Sequence, residues 1–280
     1  MSQFKFAVCE WSFPCWGELA VRMAGQAGFD GMQLGDGGGS MHAYPLLDKR
    51  VQEHYLQAGE ENHIEFPQIH LYTLGHQCYY RSRLDTLEGQ TCLESIKNGV
   101  IAASQMGIPS VIIDGMRMNN AAKKQRVFDV AKYAVQVGEE YGIKIGMETD
   151  MSLEDHFRFL DALDGKLTLC FDAHNPVMYG TGYPPDMIRA LGKDRMEHFH
   201  IKESQVNEDG FLSVETPIVL MGTGDTYFRE SAQAVKDIGF HGWIVSENFY
   251  FRPNILEQGY DYVSAARKDL ESLHAVYGTE

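Results

Sequence analysis

Apolar residues recur along this chain with the spacing of amphipathic helices. In 121–141 the apolar positions fall at i, i+3 and i+4 intervals: Val127, Val130, Ala131, Ala134, Val137 and Tyr141. The stretches 17–27 and 258–276 show the same spacing. The pattern therefore predicts helices over these three ranges, each with one face turned toward a core.

Four segments repeat one layout, in which a glycine ends a helical stretch and a short apolar run then leads to an acid. They cover 27–36, 106–114, 141–148 and 238–247. Glycine adopts the left-handed conformation that closes a helix, and short runs of branched apolar residues are typical of strands buried on both faces. Four further strands are predicted from similar runs at 6–10, 66–70, 167–171 and 198–201.

Strands that alternate with helices require parallel pairing and right-handed crossovers. Eight such units in 280 residues predict an α/β fold, a (β/α)8 TIM barrel with parallel strands that forms a single domain over 1–280. An open doubly wound sheet also alternates, but no glycine-rich phosphate loop follows the first strand. The longest irregular stretches, 71–86 and 202–222, would then lie on the active-site face.

Charge and cysteine content narrow the possible partners. The chain has 39 acidic and 24 basic residues and a net charge of -15, which disfavours nucleic acid and anionic membranes and attracts cations. Five cysteines without a CxxC pair predict neither a disulfide framework nor a cysteine zinc site. With no signal-like N-terminus and no apolar run of membrane length, we expect a cytoplasmic protein.

An acid or a histidine stands at or next to the C-terminal end of every predicted strand. These residues are Glu10, Asp36, His70, Asp114, Glu148, Asp172, His200 and Glu247. The C-terminal strand ends of a barrel form its active site, so neighbouring strands 5 to 8 would bring Glu148, Asp172, His200 and Glu247 together. Three carboxylates and one imidazole suit Mn²⁺, Co²⁺ or Mg²⁺ better than a structural zinc. The alternative is a salt-bridge network with Lys144, Lys202 or Arg195.

Two histidines lie on one face of strand 7, because side chains alternate with period two. His200 is nearer the C-terminal end and is the predicted ligand, whereas His198 is expected to be a buried, hydrogen-bonded residue. The other histidines that we expect at the surface or in loops are His63, His76, His156, His241 and His274.

Five motifs carry a family resemblance: GMETD around Glu148, CFDAHNP at 170–176, HFHIKE at 198–203, GTGD at 222–225 and GWIVSEN at 242–248. In order and spacing they resemble the xylose isomerase-like barrels, which include sugar isomerases, ketohexose 3-epimerases, inosose dehydratases and abasic-site endonucleases. In the epimerases one divalent ion, often Mn²⁺, is held by Glu, Asp, His and Glu of strands 5 to 8. The resemblance implies that Glu148, Asp172, His200 and Glu247 bind one metal, with Mn expected and Co, Mg or Zn as alternatives. It also implies that Glu148 and Glu247 are catalytic and carry the proton.

The chain departs from these relatives at several positions. Asn175 stands where they often have a histidine, with His174 displaced by one, and Gln33 replaces a glutamate near the end of strand 2. The arginine that follows the metal histidine in ketohexose 3-epimerases is absent from 205–207. The nuclease branch needs additional ligands for three zinc ions and a basic face, which the net charge opposes.

The implied chemistry is proton abstraction next to a sugar carbonyl through a metal-stabilised enediolate, as in an isomerase or epimerase. If a β substituent departs from the same enediolate, the enzyme is a lyase. It would then be an inosose-type dehydratase or a C-glycoside deglycosidase subunit that eliminates an aglycone from a 3-keto sugar. A non-catalytic sugar-binding barrel is a third possibility, against which the complete ligand set argues.

Substrate contacts are expected from four further residues: Trp11, His70, His174 and Lys202. His70 and Lys202 could donate to a substrate oxygen or leaving group, and Trp11 could stack on the sugar or pack in the core. The expected partner is a small sugar or sugar-derived molecule. The resemblance also implies a homo-oligomer that could use Phe249, Tyr250 and Phe251, or a complex with a different second subunit for a deglycosidase.

Overall fold

The computed structural model describes residues 4–36, 44–77, 82–118, 120–206 and 217–278. Its barrel strands are β1 (Phe4–Cys9), β2 (Gly31–Gln33), β3 (Gln68–His70), β4 (Ser110–Gly115), β5 (Lys144–Thr149), β6 (Leu167–Asp172), β7 (Met196–Ile201) and β10 (Gly242–Ser246). They form one sheet in the order β2-β1-β10-β7-β6-β5-β4-β3, and each paired neighbour is parallel. Two short strands, β8 (Glu203–Ser204) and β9 (Ile218–Val219), pair antiparallel outside this sheet.

The sheet closes between its two end strands, β2 and β3. The backbone N–H of Leu34 donates to Gln68 O at 3.0 Å, and His70 N–H donates to Leu34 O at 2.7 Å. This closure removes the sheet edges that an open doubly wound sheet would leave. The chain is therefore a (β/α)8 TIM barrel with parallel strands, and the predicted fold is confirmed.

Helices surround the barrel. They are α1 (Glu18–Ala27), α2 (Lys49–Asn62), α3 (Tyr72–Gln77), α4 (Leu87–Met106), α5 (Ala121–Tyr141), α6 (Leu153–Ala162), α7 (Asn175–Tyr179), α8 (Pro184–Leu191), α9 (Phe228–Asp237), α10 (Pro253–Leu256) and α11 (Tyr262–Tyr277). The three helices predicted from periodicity correspond to α1, α5 and α11. The prediction that 71–86 is irregular is wrong where α3 lies; residues 78–81, like 207–216 of the second long loop, fall outside the described residues.

The glycines of the repeated layout close helices as predicted. Gly107 and Gly142 follow α4 and α5 with φ of 70° and 69°, and the N–H of each donates back to its helix. Left-handed φ costs an ordinary side chain strain that glycine avoids. Each helix therefore stops just before its strand, and the strand then carries the acid to the opposite end of the barrel.

Alternation along the strands separates an outer core from the barrel interior. In β7, Phe199 and Ile201 belong to the large apolar cluster between the strands and the helices. His198 and His200, at the alternate positions, are fully buried inside the barrel. A small second cluster of Ala7, Cys9, Trp11 and Val245 shares that interior. The interior is therefore polar toward the C-terminal strand ends, where the site lies.

Candidate active site

A cavity of about 430 Å³ opens at the C-terminal ends of the barrel strands. Its volume lies within the range of small-molecule sites. Residues at the strand ends line its floor, and loop residues line its walls and mouth: His70, Tyr72, Asp114, Met116, Arg117, Glu148, Asn175, Tyr179, Lys202, Glu247, Phe249, Phe251 and Arg252, with Gly75. Four of the predicted site residues therefore line one cavity: His70, Glu148, Lys202 and Glu247.

Three carboxylates and one imidazole converge beneath the cavity. Oxygens of Glu148, Asp172 and Glu247 lie within 4.8 Å of one another. The Nδ1 atom of His200 lies 3.4 Å from Oε2 of Glu148 and 3.4 Å from Oε2 of Glu247. All four side chains belong to residues that are at most 6% exposed. The structure thus brings together the four residues that the strand ends singled out.

Gln33 determines which nitrogen of His200 faces the carboxylates. Its amide oxygen lies 2.7 Å from His200 Nε2, so that nitrogen carries the hydrogen and donates. The Gln33 amide nitrogen lies 3.0 Å from His198 Nε2 and donates to it. The Nδ1 atom of His200 is buried without a hydrogen-bond partner among the described residues. Nδ1 therefore faces the two glutamates, where it either shares a proton with them or gives its lone pair to a cation that lies between them.

The donor atoms fit a metal ion. A lone pair and two carboxylate oxygens that face one another repel unless a proton or a cation lies among them. Bonds of about 2.0–2.2 Å to one ion would hold two donor atoms about 3–4 Å apart, which matches the observed 3.4 Å. Glu148, Asp172, His200 and Glu247 could therefore hold one divalent ion.

Lys202 also contacts this cluster, as the salt-bridge alternative anticipated. Its Nζ lies 2.7 Å from Asp172 Oδ2 and 2.5 Å from Glu247 Oε2. Burial raises the pKa of Asp172 to about 6, although the Lys202 ammonium opposes the shift. Burial likewise opposes ionisation of Glu247, but Lys202 and His200 hold the pKa of that carboxyl well below its ordinary value. The other two cations of that alternative lie elsewhere: Lys144 is exposed, and Arg195 donates to Leu191 O.

Each glutamate has one oxygen fixed by a neutral donor. The amide of Asn175 donates to Glu148 Oε1 at 2.8 Å, and the indole N–H of Trp11 donates to Glu247 Oε1 at 3.0 Å. In both cases the other oxygen, Oε2, faces His200. Trp11 is 3% exposed and stacks on Tyr72 with ring centroids 4.8 Å apart. Its predicted stacking on substrate stays a prediction, since Tyr72 rather than Trp11 lines the cavity.

The two predicted substrate-binding histidines occupy different surroundings. His70 lines the cavity, and neither ring nitrogen has a hydrogen-bond partner among the described residues. Burial lowers its pKa to about 4, so the ring is neutral. His174 lies behind the cavity wall, with Nε2 3.0 Å from Ser204 Oγ, and burial lowers its pKa to about 3. Its substrate contact stays a prediction.

The remaining histidines mostly lie where the sequence predicts. His63, His241 and His274 are exposed, whereas the side chain of His76 falls outside the described residues. The prediction for His156 is wrong: it is 4% exposed, and Nε2 lies 2.7 Å from Thr149 Oγ1. This histidine points from α6 into the core, where the threonine at the end of β5 satisfies it.

The cysteines contribute no disulfide among the described residues. Cys9 and Cys170 lie beside the histidines of β7. Burial raises the pKa of Cys9 to about 12 and that of Cys170 still further. Both are therefore thiols, which bind metals poorly compared with thiolates. Within the described ranges, no helix is long and apolar enough to cross a membrane.

Sequence reasoning missed several residues of the site. Gln33 and Asn175 were noted only as departures from the relatives, although their positions near strand ends were a signal for contact with the cluster. Arg117 and Arg252 line the cavity from loops, and Tyr72 lines it from the first position of α3. No spacing pattern marks such loop residues, because their positions depend on how each loop folds.

The aromatic run after β10 is divided between core and cavity. Tyr250 is fully buried, packs on Phe13, and has its hydroxyl 2.7 Å from Ser246 Oγ. Phe249 and Phe251 line the cavity and contact each other edge to face. The chain's own loops therefore account for Tyr250, and the predicted oligomer contact at this run stays a prediction.

Comparisons with known proteins agree with this architecture. A family model described as xylose isomerase-like TIM barrel matches residues 21–273. No curated protein matches the sequence. Among solved structures, the IOLI protein with a bound zinc atom has a TM-score of 0.75 and 16% identity over 98% of both chains.

Two epimerase structures are similarly related. D-allulose 3-epimerase from Methylomonas sp. has a TM-score of 0.72 and 16% identity over 98% of both chains. D-psicose 3-epimerase with D-tagatose from Clostridium cellulolyticum H10 has a TM-score of 0.76 and 13% identity, over 98% of this chain and 100% of that one. At these identities the likeness shows a shared fold.

Proposed function

Because the chain belongs to the xylose isomerase-like TIM-barrel family, we propose that it is a divalent-metal-dependent sugar isomerase or epimerase. The enzyme would remove a proton next to a carbonyl and return a proton to the resulting enediolate. Return to the same carbon from the opposite face gives an epimer, whereas return to the neighbouring carbon gives an isomer. The sugars and the zinc named for the similar structures guide which substrates and metals to test.

One observation carries this proposal. Two buried glutamates, each with one oxygen fixed by a neutral donor, face the same imidazole nitrogen of His200 at the floor of a cavity. We assign Glu148, Asp172, His200 and Glu247 as the residues that hold the metal. When bound, a divalent ion polarises the sugar carbonyl and its adjacent hydroxyl and so lowers the pKa of the α proton. Mn²⁺ is the expected ion because oxygen donors dominate, with Co²⁺, Mg²⁺ and Zn²⁺ as alternatives.

The two glutamates divide the proton transfers. One carboxylate accepts the α proton as the C–H electron pair enters the enediolate. The other carboxylate takes up a proton from solvent and donates it to carbon, and the first carboxyl then releases its proton to solvent. Asn175 and Trp11 hold Glu148 and Glu247 in place for these transfers. Lys202 opposes the effect of burial on the pKa of Glu247 and keeps that carboxyl ionised.

Two further groups would bind the sugar. The neutral His70 can donate a hydrogen bond to a substrate oxygen, because no described residue occupies its ring nitrogens. Burial raises the pKa of Tyr72 to about 12, so its phenol also remains a neutral donor on the cavity wall. Neutral donors of this kind orient sugar hydroxyls without adding charge.

Elimination is a second candidate function, and Lys202 favours it. Its ammonium lies beside Glu247 and lines the cavity, where it could donate a proton to a departing hydroxide or aglycone. Burial lowers the pKa of Lys202, but Asp172 and Glu247 outweigh burial and raise it well above its ordinary value. Such a lysine stays a cation and is a weak proton donor. For this reason we place the dehydratase or C-glycoside deglycosidase second to the isomerase or epimerase.

The deciding experiment follows protons and mass together. Purified protein with Mn²⁺ is incubated in D₂O with ketohexoses, inososes and 3-keto-glycosides, and the products are read by NMR. We expect deuterium at the carbon next to the carbonyl and a product that has the elemental composition of the substrate apart from that deuterium. Loss of water or aglycone would identify the lyase. Absence of exchange with every sugar, at metal occupancy verified by elemental analysis, would contradict the proposal.

We also propose a homo-oligomer that works in the cytoplasm. The cysteines carry no disulfide within the described residues, as expected for a reducing compartment. Light scattering at micromolar concentration tests the assembly, and a fully active 31.6 kDa monomer would contradict it.

A further inference from the structure

Cationic side chains stand at the mouth of this acidic protein's cavity. Arg117 follows β4, Arg252 follows β10, and both line the same cavity as Glu148 and Glu247. In the sheet order, β4 and β10 are four positions apart in a ring of eight. The two arginines therefore approach the cavity from opposite sides of the barrel, beyond the strand ends that carry the glutamates.

Arg252 is held against the cavity wall by aromatic rings. Its guanidinium carbon lies 5.3 Å from the centroid of Phe249 and 5.8 Å from that of Phe251. Within the described residues, no carboxylate lies within ion-pair distance of this arginine, unlike Arg50, Arg158 and Arg189, which pair with acids on the surface. A guanidinium stacked on rings keeps its N–H groups available for an anion.

Arg117 is placed by an uncommon backbone conformation. Its φ is 59°, in the left-handed region, and its N–H donates to Asp150 Oδ2 at 2.7 Å. Non-glycine residues in this region are strained, and such strain concentrates at ligand-binding sites. The side chain also hydrogen-bonds the Tyr179 hydroxyl and so opposes the effect of burial, which raises the pKa of that tyrosine. The bent loop thus presents Arg117 at the cavity.

From this arrangement we infer that the substrate carries an anionic group, a carboxylate or a phosphate, at the end away from its carbonyl, and that Arg252 and Arg117 bind it. The inference rests on the proposed function, which places the carbonyl end at Glu148 and Glu247. Planar guanidinium groups recognise carboxylate and phosphate oxygens in the same way. In a chain with a net charge of -15, a locally cationic mouth is also needed to admit an anion.

Three ketoses that differ only at carbon 6 test the inference: D-fructose, D-fructuronate and D-fructose 6-phosphate. Their dissociation constants for the Mn²⁺-loaded protein are measured by calorimetry, with buffers free of phosphate. We expect at least one anionic ketose to bind about 10–100-fold more tightly than D-fructose, as a charge-assisted hydrogen bond allows. The anionic ketose that binds more tightly shows whether the recognised group is the carboxylate of a sugar acid or the phosphate of a sugar phosphate.

Arg252→Gln should abolish that preference, so that the affinity for the anionic ketose falls far more than the affinity for D-fructose. Arg50→Gln removes an exposed arginine that pairs with Asp48 and serves as the matched control for total charge. The inference is overturned if neither anionic ketose binds more tightly than D-fructose, or if Arg252→Gln weakens all three equally. Proton exchange in D₂O is measured separately, and its absence would count against the proposed function. The preference for an anionic ketose in the binding measurements alone tests the anion site.

Discussion

Acids stand at strand ends in both halves of the barrel, but their oxygens have different partners. At the end of β1, Glu10 accepts hydrogen bonds from Gly17 N–H at 2.8 Å, Gly35 N–H at 3.0 Å and the Tyr55 hydroxyl at 2.5 Å. Loops and a helix of the same chain thus satisfy both of its oxygens. This carboxyl joins three separate segments and presents no oxygen to the cavity.

Two more acids in that half of the barrel hold loops in place through hydrogen bonds. Asp36 accepts from the backbone N–H of Thr73 at 3.0 Å and from its hydroxyl at 2.5 Å, at the start of α3. Asp114 accepts from Met116 N–H at 2.8 Å and packs against Gly75, where an added Cβ would lie 2.0 Å from Oδ2. Carboxylates that accept hydrogen bonds from backbone N–H groups hold the geometry of the loop.

In the other half, from β5 to β10, the carboxylates face one another. Glu148 and Glu247 direct Oε2 toward His200, and Asp172 shares Lys202 with Glu247. Gathering like charges without water is costly unless cations join them. Whether a strand-end acid holds a loop or can bind a metal therefore depends on its hydrogen-bond and ion-pair partners rather than on its residue type.

The largest predicted effect is a difference in turnover between substitutions in the two halves of the barrel. Glu148→Gln and Glu247→Gln keep side-chain size but remove a basic oxygen, so turnover should fall about 10²–10⁴-fold. Glu10→Gln, the same change in the other half, should leave turnover per folded molecule within a few fold. Steady-state rates on the substrate identified by NMR, normalised to folded protein, make the measurement.

Adding excess metal to the glutamine variants separates a loss of metal binding from a loss of proton transfer. An amide oxygen is a weaker ligand than a carboxylate, so part of the loss would come from lower occupancy. Excess Mn²⁺ should restore occupancy but not the rate of α-proton exchange in D₂O. Exchange at the wild-type rate in either glutamine variant at saturating metal would remove that glutamate as the base.

The next effect concerns Gln33, which aims His200 at the glutamates. Gln33→Met removes both amide contacts at similar volume, and loss of such an orienting partner typically costs 10–100-fold in metal affinity. Gln68→Met alters a buried glutamine of β3 that makes no described hydrogen bond to either β7 histidine and should leave affinity unchanged. Mn²⁺ titration followed by electron paramagnetic resonance measures both. Equal affinities in the two variants would mean that Gln33 does not orient the ligand.

Sequence periodicity was sufficient for the barrel and for the acids at its rim. Glycine-terminated helices and buried runs specify where each strand lies, and the strand ends then converge by topology. The same pattern could not separate Glu10 and Asp36 from Glu148 and Glu247, because every one follows a strand. Their separation depends on loop backbone N–H groups, such as those of Gly17 and Gly35, which no spacing rule positions.

Burial of polar side chains was equally hard to predict. His156 lies on a helix with an acidic first turn, yet it turns inward to Thr149. Arg252 and Tyr72 reach the cavity from segments whose paths depend on contacts far away in sequence. Local propensity does not encode such contacts, so these residues were missed, whereas the carboxylates and the histidine at the ends of strands 5 to 8 were found.

A smaller effect is expected from Lys202, which shares Asp172 and Glu247 with any bound ion. Lys202→Met leaves these carboxylates without their ammonium, so the metal-free protein should be less stable and the thermal shift caused by Mn²⁺ should be larger by a few degrees. Lys144→Met changes an exposed lysine of β5 and serves as the control. Calorimetric unfolding with and without Mn²⁺ measures the shift. The same shift in wild type and Lys202→Met would show that the lysine and the metal do not compete.

The smallest effect is a slope of stability against pH, and it belongs to Glu10. Burial raises the pKa of this carboxyl from its ordinary value of 4.5 to about 7, although the Tyr55 hydroxyl and two backbone N–H groups oppose the shift. Between these two values the unfolded chain has released the proton and the folded chain still holds it. Stability from this group is therefore complete below about pH 4.5 and is lost as pH rises to about 7, at no more than about 1.4 kcal/mol per pH unit.

Urea unfolding of wild type and Glu10→Gln from pH 4.5 to 7.5, with chelator present, isolates this slope because the contributions of Asp172 and the other titrating groups that both proteins share cancel. If the stability of Glu10→Gln falls with pH as steeply as that of the wild type, Glu10 is ionised in the folded protein. The two halves of the rim would then differ in the partners of their acids and not in protonation.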